Sequence, residues 1–303
     1  MHERACAVLE QLQHHVKAIQ SKTPSTSLAI SLPVQPRFDK ADRDLVGVWK
    51  VYLRWEESNP LGLPEEERPT LVSRVTSAYR RALTSMRFFP ELWYMAYVWT
   101  ASTSTQELAI KILEEGIVAN PTSFVLHFAY AEALEIGGPD GYPLVHQLYV
   151  TFLGRLRENL VQRERLIVMD CPSRGPADAG RAQGHTPSSF DAHALDQRSP
   201  VRKDLNECRV EYGVAWIMYM RFARRTQGSK AGLDVFGRAL LDKFTPWQVY
   251  ESAALTEYHL SQDASSATRI FQKGMEIFCD EVEFVLSYLS FLLSINDERS
   301  ESK

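Results

Sequence analysis

Trp216-Ile217-Met218-Tyr219, Tyr250-Glu251-Ser252-Ala253 and Phe284-Val285-Leu286-Ser287 open three apolar helical runs between Val214 and Asn296. Each aromatic start stands 34 residues after the one before it. Equal steps of that size mark a helical-repeat solenoid rather than one closed core. In such an array each unit touches only its neighbours, so length does not set a domain count. Solenoids chiefly hold other molecules together, which makes partners the functional question.

Composition agrees. The 303 residues are 45% hydrophobic and 24% charged, with 34 basic against 38 acidic side chains and a net charge of −4. Nucleic-acid domains tend to be clearly basic, because phosphate contacts dominate their affinity. Direct RNA contact is therefore expected to be weak or indirect. Cys6, Cys171, Cys208 and Cys279 form no close pair, and zinc sites bring their ligands in such pairs. Reduced thiols are expected. The start, Met1-His2-Glu3-Arg4, leads into an amphipathic segment rather than a signal-peptide core. The longest uncharged apolar run, Phe284 to Ile295, has about twelve residues, and a membrane span needs ~20. These features point to a soluble protein of a reducing compartment, with no membrane partner.

Along the chain, residues 1–21 carry Val8, Leu9, Leu12, Val16 and Ile19 at helical spacing. Residues 22–44 turn to Thr, Ser and Pro and read as a linker or long connection. Residues 45–165 give three helical pairs: Leu45–Ser58 with Pro69–Arg87, Glu91–Thr100 with Thr105–Ala119, and Ser123–Ile136 with Tyr142–Arg165. Breaks at Asn59-Pro60, Asn120-Pro121 and Gly137-Gly138-Pro139 are turn chemistry. Residues 166–205 are rich in Gly and Pro, with too little apolar surface to offset ordering entropy, and are expected as a disordered insertion. The array resumes over 206–296 with Val210–Arg225 and Lys230–Lys243, then Trp247–Leu260 and Ala264–Phe278, then an unpaired Glu281–Ile295. Residues 297–303 read as a frayed tail, and an array that ends on half a repeat looks cut.

The first helices of the pairs share a spaced signature: Trp49-Tyr52-Glu56, Val125-Phe128-Glu132 and Tyr250-Ala253-Glu257. Trp93-Ala96-Thr100 and Trp216-Tyr219-Ala223 follow it more loosely. Steps of three and four put these positions on one face. The aromatic is expected to fill the wedge between helices, where burial contributes about 2–3 kcal/mol. A buried Glu needs a partner, either an Arg, an indole N–H or the start of a neighbouring helix. The second helices repeat Tyr79-Arg80-Arg81-Ala82-Leu83, Phe236-Gly237-Arg238-Ala239-Leu240 and Phe271-Gln272-Lys273-Gly274-Met275. The small fourth residue is expected to let helix backbones approach.

This double signature resembles the half-a-TPR (HAT) repeats of RNA-processing factors, a right-handed α-α superhelix. Val48-Trp49-Lys50-Val51-Tyr52-Leu53-Arg54-Trp55-Glu56 with Asn59-Pro60-Leu61 narrows it, as do Tyr219-Met220-Arg221-Phe222-Ala223-Arg224-Arg225 and Val285 to Leu292. Together they resemble the second HAT domain of the suppressor-of-forked family, the HAT-repeat subunit of cleavage stimulation factor and its yeast counterpart in cleavage factor IA. The resemblance implies that residues 1–21 are the last helix of a preceding HAT domain. It also implies a nuclear, non-catalytic scaffold for pre-mRNA cleavage and polyadenylation, which homodimerises and holds the RNA-recognition subunit and other processing factors. The resemblance also leads us to expect that the final repeats and the C-terminal segment that binds that subunit in the family lie outside this sequence. Phe284, Tyr288, Phe291 and Leu292, on the unpaired last helix, are expected either to meet absent repeats or to form a partner or dimer contact.

Other readings are a HAT scaffold of splicing or ribosomal RNA processing, or a helical-repeat subunit of a protein prenyltransferase. A basic strip at Arg221, Arg224, Arg225, Lys230, Arg238 and Lys243 reads as a solvated face more readily than as an RNA site. His14-His15 are adjacent and point apart, so they are no i, i+4 metal pair. His127, His146, His185, His193 and His259 have no carboxylate or cysteine at ligand spacing. No G-x-S-x-G, H-E-x-x-H or phosphate-cradling loop occurs. No catalytic residue, metal or cofactor is expected.

Overall fold

A computed structural model of the protein describes residues 2–24, 32–170 and 200–301, and among these every regular element is helical. Cys171, His185, His193 and most of the expected insertion lie outside the described residues. The chain divides into two compact units, residues 1–141 and 142–303. Among the described residues no helix is long and apolar enough to cross a membrane.

The first unit contains α1 (His2–Lys22), α2 (Lys40–Glu57), α3 (Arg68–Ser85), α4 (Pro90–Thr103), α5 (Gln106–Ala119) and α6 (Phe124–Ile136). Single 3-10 turns lie at Glu65–Glu67 and Pro139–Gly141. The starts follow from local chemistry. The side chains of Asp39, Thr105 and Ser123 accept from the N–H three residues on and so cap α2, α5 and α6. Pro69 and Pro90 stand in the first turns of α3 and α4, where a missing N–H costs nothing. Leu45, Trp49 and Leu53 of α2 interlock with Val75, Ala78 and Ala82 of α3 and with Leu92 of α4.

The expected linker differs in extent: α2 already begins at Lys40. Just before it, the N–H groups of Arg37 and Phe38 donate to the Asp42 carboxylate at 2.5 and 2.7 Å, so this buried charge is satisfied by backbone. Val34 donates to the Ser85 carbonyl at 2.9 Å, which ties the extended segment to the end of α3. Helix α1 lies against α2, where the Trp55 indole donates to Gln11 at 2.9 Å and the His15 ring sits 5.0 Å from that of Trp55.

The second unit contains α7 (Tyr142–Asp170), α8 (Pro200–Gln227), α9 (Ser229–Ala239), α10 (Trp247–Ser261), α11 (Ala264–Phe278) and α12 (Val282–Glu301). Val145, Tyr149, Phe152, Leu156 and Leu160 form the buried stripe of α7. Its packing partner within the unit is α8: the Tyr149 and Tyr219 rings stack at 5.0 Å with an interplanar angle of 11°. An Arg163–Asp204 ion pair joins the two helices towards their far ends. Within the segment expected as an insertion over 166–205, helix persists to Asp170 and resumes at Pro200, and residues 171–199 lie outside the described residues. Helix likewise runs on through Glu301, into the expected tail.

Candidate functional site

The signature residues form polar clamps between helices. Glu56, buried on α2, accepts from the Tyr52 hydroxyl at 2.9 Å and from Arg74 Nε of α3 at 2.5 Å. Arg81 Nη2 of α3 donates to the Tyr52 oxygen at 2.6 Å. Burial, with the Glu56 carboxylate beside it, pushes the Tyr52 hydroxyl up to about 12. In the second unit, buried Glu257 of α10 accepts from Arg224 Nη1 of α8 at 2.6 Å and from the Ser229 hydroxyl at 3.0 Å. Two of the three expected kinds of partner are therefore present: an Arg for both carboxylates, and the first residue of α9 for Glu257.

The basic residue of the second helices also has a use that sequence reading missed. Arg238 Nη2 donates to the Tyr219 hydroxyl at 2.8 Å, as Arg81 does to Tyr52, and both guanidinium groups lie over the Tyr rings. In the next pair the Tyr position is Ala253 and the basic residue is an exposed Lys273. The pairing of Tyr with Arg and of Ala with Lys was the available signal.

The wedge aromatics Trp49, Trp93, Trp216, Tyr250 and Phe284 are all buried. The Trp93 indole donates to the Arg87 carbonyl at 2.8 Å, and Asn120 Nδ2 donates to the same oxygen at 3.1 Å. Asn59, left-handed at φ +55, accepts from the Leu63 N–H and donates to the Leu63 carbonyl, both at 2.9 Å. That doubly bonded turn explains why Asn-Pro-Leu follows α2.

Four expectations are corrected. On α6, Val125 and Glu132 are exposed and Phe128 is half-buried, whereas Leu126, Ala129 and Ala133 are buried. The signature was aligned one residue away from the face that meets α4 and α5. On α12, Phe284 and Phe291 are buried rather than open, and Tyr288 and Leu292 are half-buried. Phe271 of α11 draws them inward, with ring centroids 5.8, 5.1 and 4.9 Å from Phe284, Tyr288 and Phe291. The exposed row of α12 is instead Val282, Leu286, Leu289 and Leu293.

The basic strip, thirdly, is in half of its six residues engaged by the fold. Arg224 is held by Glu257, Arg238 lies on Tyr219, and Lys243 pairs with Glu164 at 2.6 Å. Lastly, at Gly274 the close approach is made by a ring, not a backbone. A Cβ there would meet Phe284 Cε1 at 2.9 Å and its Cζ closer still.

His146 sits between the Tyr219 hydroxyl at 3.1 Å and the Gln227 amide at 2.7 Å, and burial together with Arg238 lowers its pKa. Among the described residues no group of three or more His, Cys, Asp or Glu side chains is placed to hold a metal ion.

Comparison with known proteins gives one family. The model of the suppressor of forked protein (Suf) family matches residues 1–302. The chain is 40% identical over 291 residues to the mRNA 3'-end-processing protein RNA14 of Cryptococcus neoformans var. neoformans serotype D, covering 89% of this chain and 27% of that protein. It is 27% identical over 264 residues to the Schizosaccharomyces pombe mRNA 3'-end-processing protein rna14, covering 86% and 33%. Against the Aspergillus fumigatus protein of that name the figures are 29% over 301 residues, 88% and 29%. The chain thus spans between about a quarter and a third of the length of these relatives. Matched over residues 1–302 by that family's model, this chain belongs to the suppressor of forked protein family.

Proposed function

We propose that the chain is a non-catalytic scaffold in pre-mRNA 3'-end processing, working in the nucleus as part of a multi-factor complex. One observation carries this reading: relatives named as mRNA 3'-end-processing proteins align over 86–89% of the chain. The structure adds a physical reason to think of surfaces rather than chemistry. The buried signature carboxylates are engaged in interhelical clamps, as at Glu56–Arg74 and Glu257–Arg224. In this reading the helical pairs form a right-handed HAT superhelix whose outer faces hold an RNA-recognition subunit and other cleavage and polyadenylation factors.

The reading includes a homodimer. Its support is the exposed row Val282, Leu286, Leu289 and Leu293, at steps of three and four along one face of α12. Immobilised full-length chain should capture identified cleavage and polyadenylation factors from nuclear extract. Sedimentation should give a dimer that Leu286→Ser with Leu289→Ser dissociates. Capture of splicing or ribosomal RNA factors alone would overturn the 3'-end assignment, and a monomeric wild-type chain would remove the dimer.

A further inference from the structure

A groove of about 620 Å³ runs over α4 between α3 and α5 in the first unit. That lies within the roughly 300–1,000 Å³ typical of ligand sites. It exists because the signature is incomplete there. Where α2 has Tyr52 and Glu56, α4 has Ala96 and Thr100, and both line the groove. Neither can fill the space that a Tyr–Glu–Arg clamp fills one pair earlier.

The surroundings of this gap are specific. Its floor, Tyr79, Trp93 and Ala96, is buried, and the half-buried Leu83, Trp99 and Ile112 wall it. Trp93 is held firmly, since a Cβ on Gly116 would already lie 3.2 Å from it. Arg80, Arg87 and Lys111 are exposed along the rim, and none is in an ion pair among the described residues. Among the described residues Glu115 is the one carboxylate that lines the groove.

We propose that this groove binds a short acidic segment of a partner protein. A large apolar side chain would fill the space above Ala96, and carboxylates would meet Arg80, Arg87 and Lys111. One observation favours a peptide over RNA. The groove aromatics are packed into floor and wall, with Trp93 buried, so they do not offer the open stacking face that single-stranded RNA uses. This proposal goes beyond the scaffold reading by naming the chemistry of one partner, and it is tested without any processing factor, so either can fail alone.

The test is fluorescence anisotropy of the full chain with labelled short peptides that combine Asp and Glu with Phe and Leu. Controls are the same peptides with Lys for each acid, or Ser for each apolar residue, and an oligouridine RNA. The acidic amphipathic peptides should bind and both peptide controls should fail. Arg80→Glu with Lys111→Glu, exposed changes away from the core, should weaken binding about tenfold or more without moving the melting curve. Absence of binding by every acidic peptide, or binding unchanged in the double variant, overturns the proposal. Oligouridine that binds more tightly and is lost in the same variant overturns it in favour of a nucleic-acid surface.

Discussion

Arg224 on α8 holds Glu257 on α10 at 2.6 Å, so one helical pair is ionically latched to the next. Glu56 is held differently, by Arg74 of its own partner helix α3. One carboxylate position in the repeat therefore serves two kinds of joint.

Breaking that latch should be costly. Arg224→Ala leaves the Glu257 charge buried, and removal of one partner from a buried pair costs about 3–5 kcal/mol. The Ser229 hydroxyl remains within bonding distance, so a loss near the lower end is expected in urea denaturation. Replacing both residues with Met should cost far less than the single change. A single variant as stable as wild type would remove the latch.

Two helical glycines should respond oppositely to alanine. At Gly237 nothing lies within 4 Å of an added Cβ, so helix propensity alone applies and Gly237→Ala should gain up to about 1 kcal/mol. At Gly274 the Phe284 ring occupies that space, and overpacking costs about 1–3 kcal/mol. Thermal melts of the two variants should move in opposite directions.

Asn59→Ala should destabilise by about 1–2 kcal/mol, since it places a Cβ-bearing residue without a local bonding side chain at φ +55 and removes both bonds to Leu63. Asn59→Gly restores the backbone freedom but not the bonds, and should fall between the two. Equal stability of the Ala and Gly variants would show that conformation plays no part.

His146 gives a pH dependence whose sign is fixed. Its folded pKa is lowered, first by burial and then by Arg238, so the unfolded chain binds its proton more readily. The contribution is present above the unfolded value of about 6.5 and is lost as pH falls through the folded value. Stability should therefore decline below about pH 6.5, and His146→Gln should flatten that slope in denaturation midpoints taken from pH 7.5 to 5.

Much of the fold was legible because apolar periodicity and turn residues are local. Asn59, Asn120 and Gly137 punctuate helices wherever packing takes them. Register on a poorly amphipathic helix was not: α6 is apolar nearly all round, and only contact with α4 and α5 picks Leu126 over Val125. The outward-facing reading of Phe284 and Phe291 failed for a related reason. Sequence shows a helix lacking a successor, but not that Phe271 of the preceding helix already occupies its aromatic face. The clamp of Arg81 on Tyr52 was written in the sequence as a correlated pair, visible only when both helices of a repeat are aligned together.

The side-by-side packing of α7 and α8 has a kinetic meaning. Most helices here meet a partner that is adjacent in the chain across a short turn, such as the single Gly228 between α8 and α9. Such contacts form early, because little chain entropy is lost in closing them. Helices α7 and α8 must instead find each other across residues 171–199. Contacts at that sequence separation form more slowly than those between chain neighbours. Docking of α7 on α8 is thus the natural late step in folding the second unit. Its rate should be the one most sensitive to what lies between them.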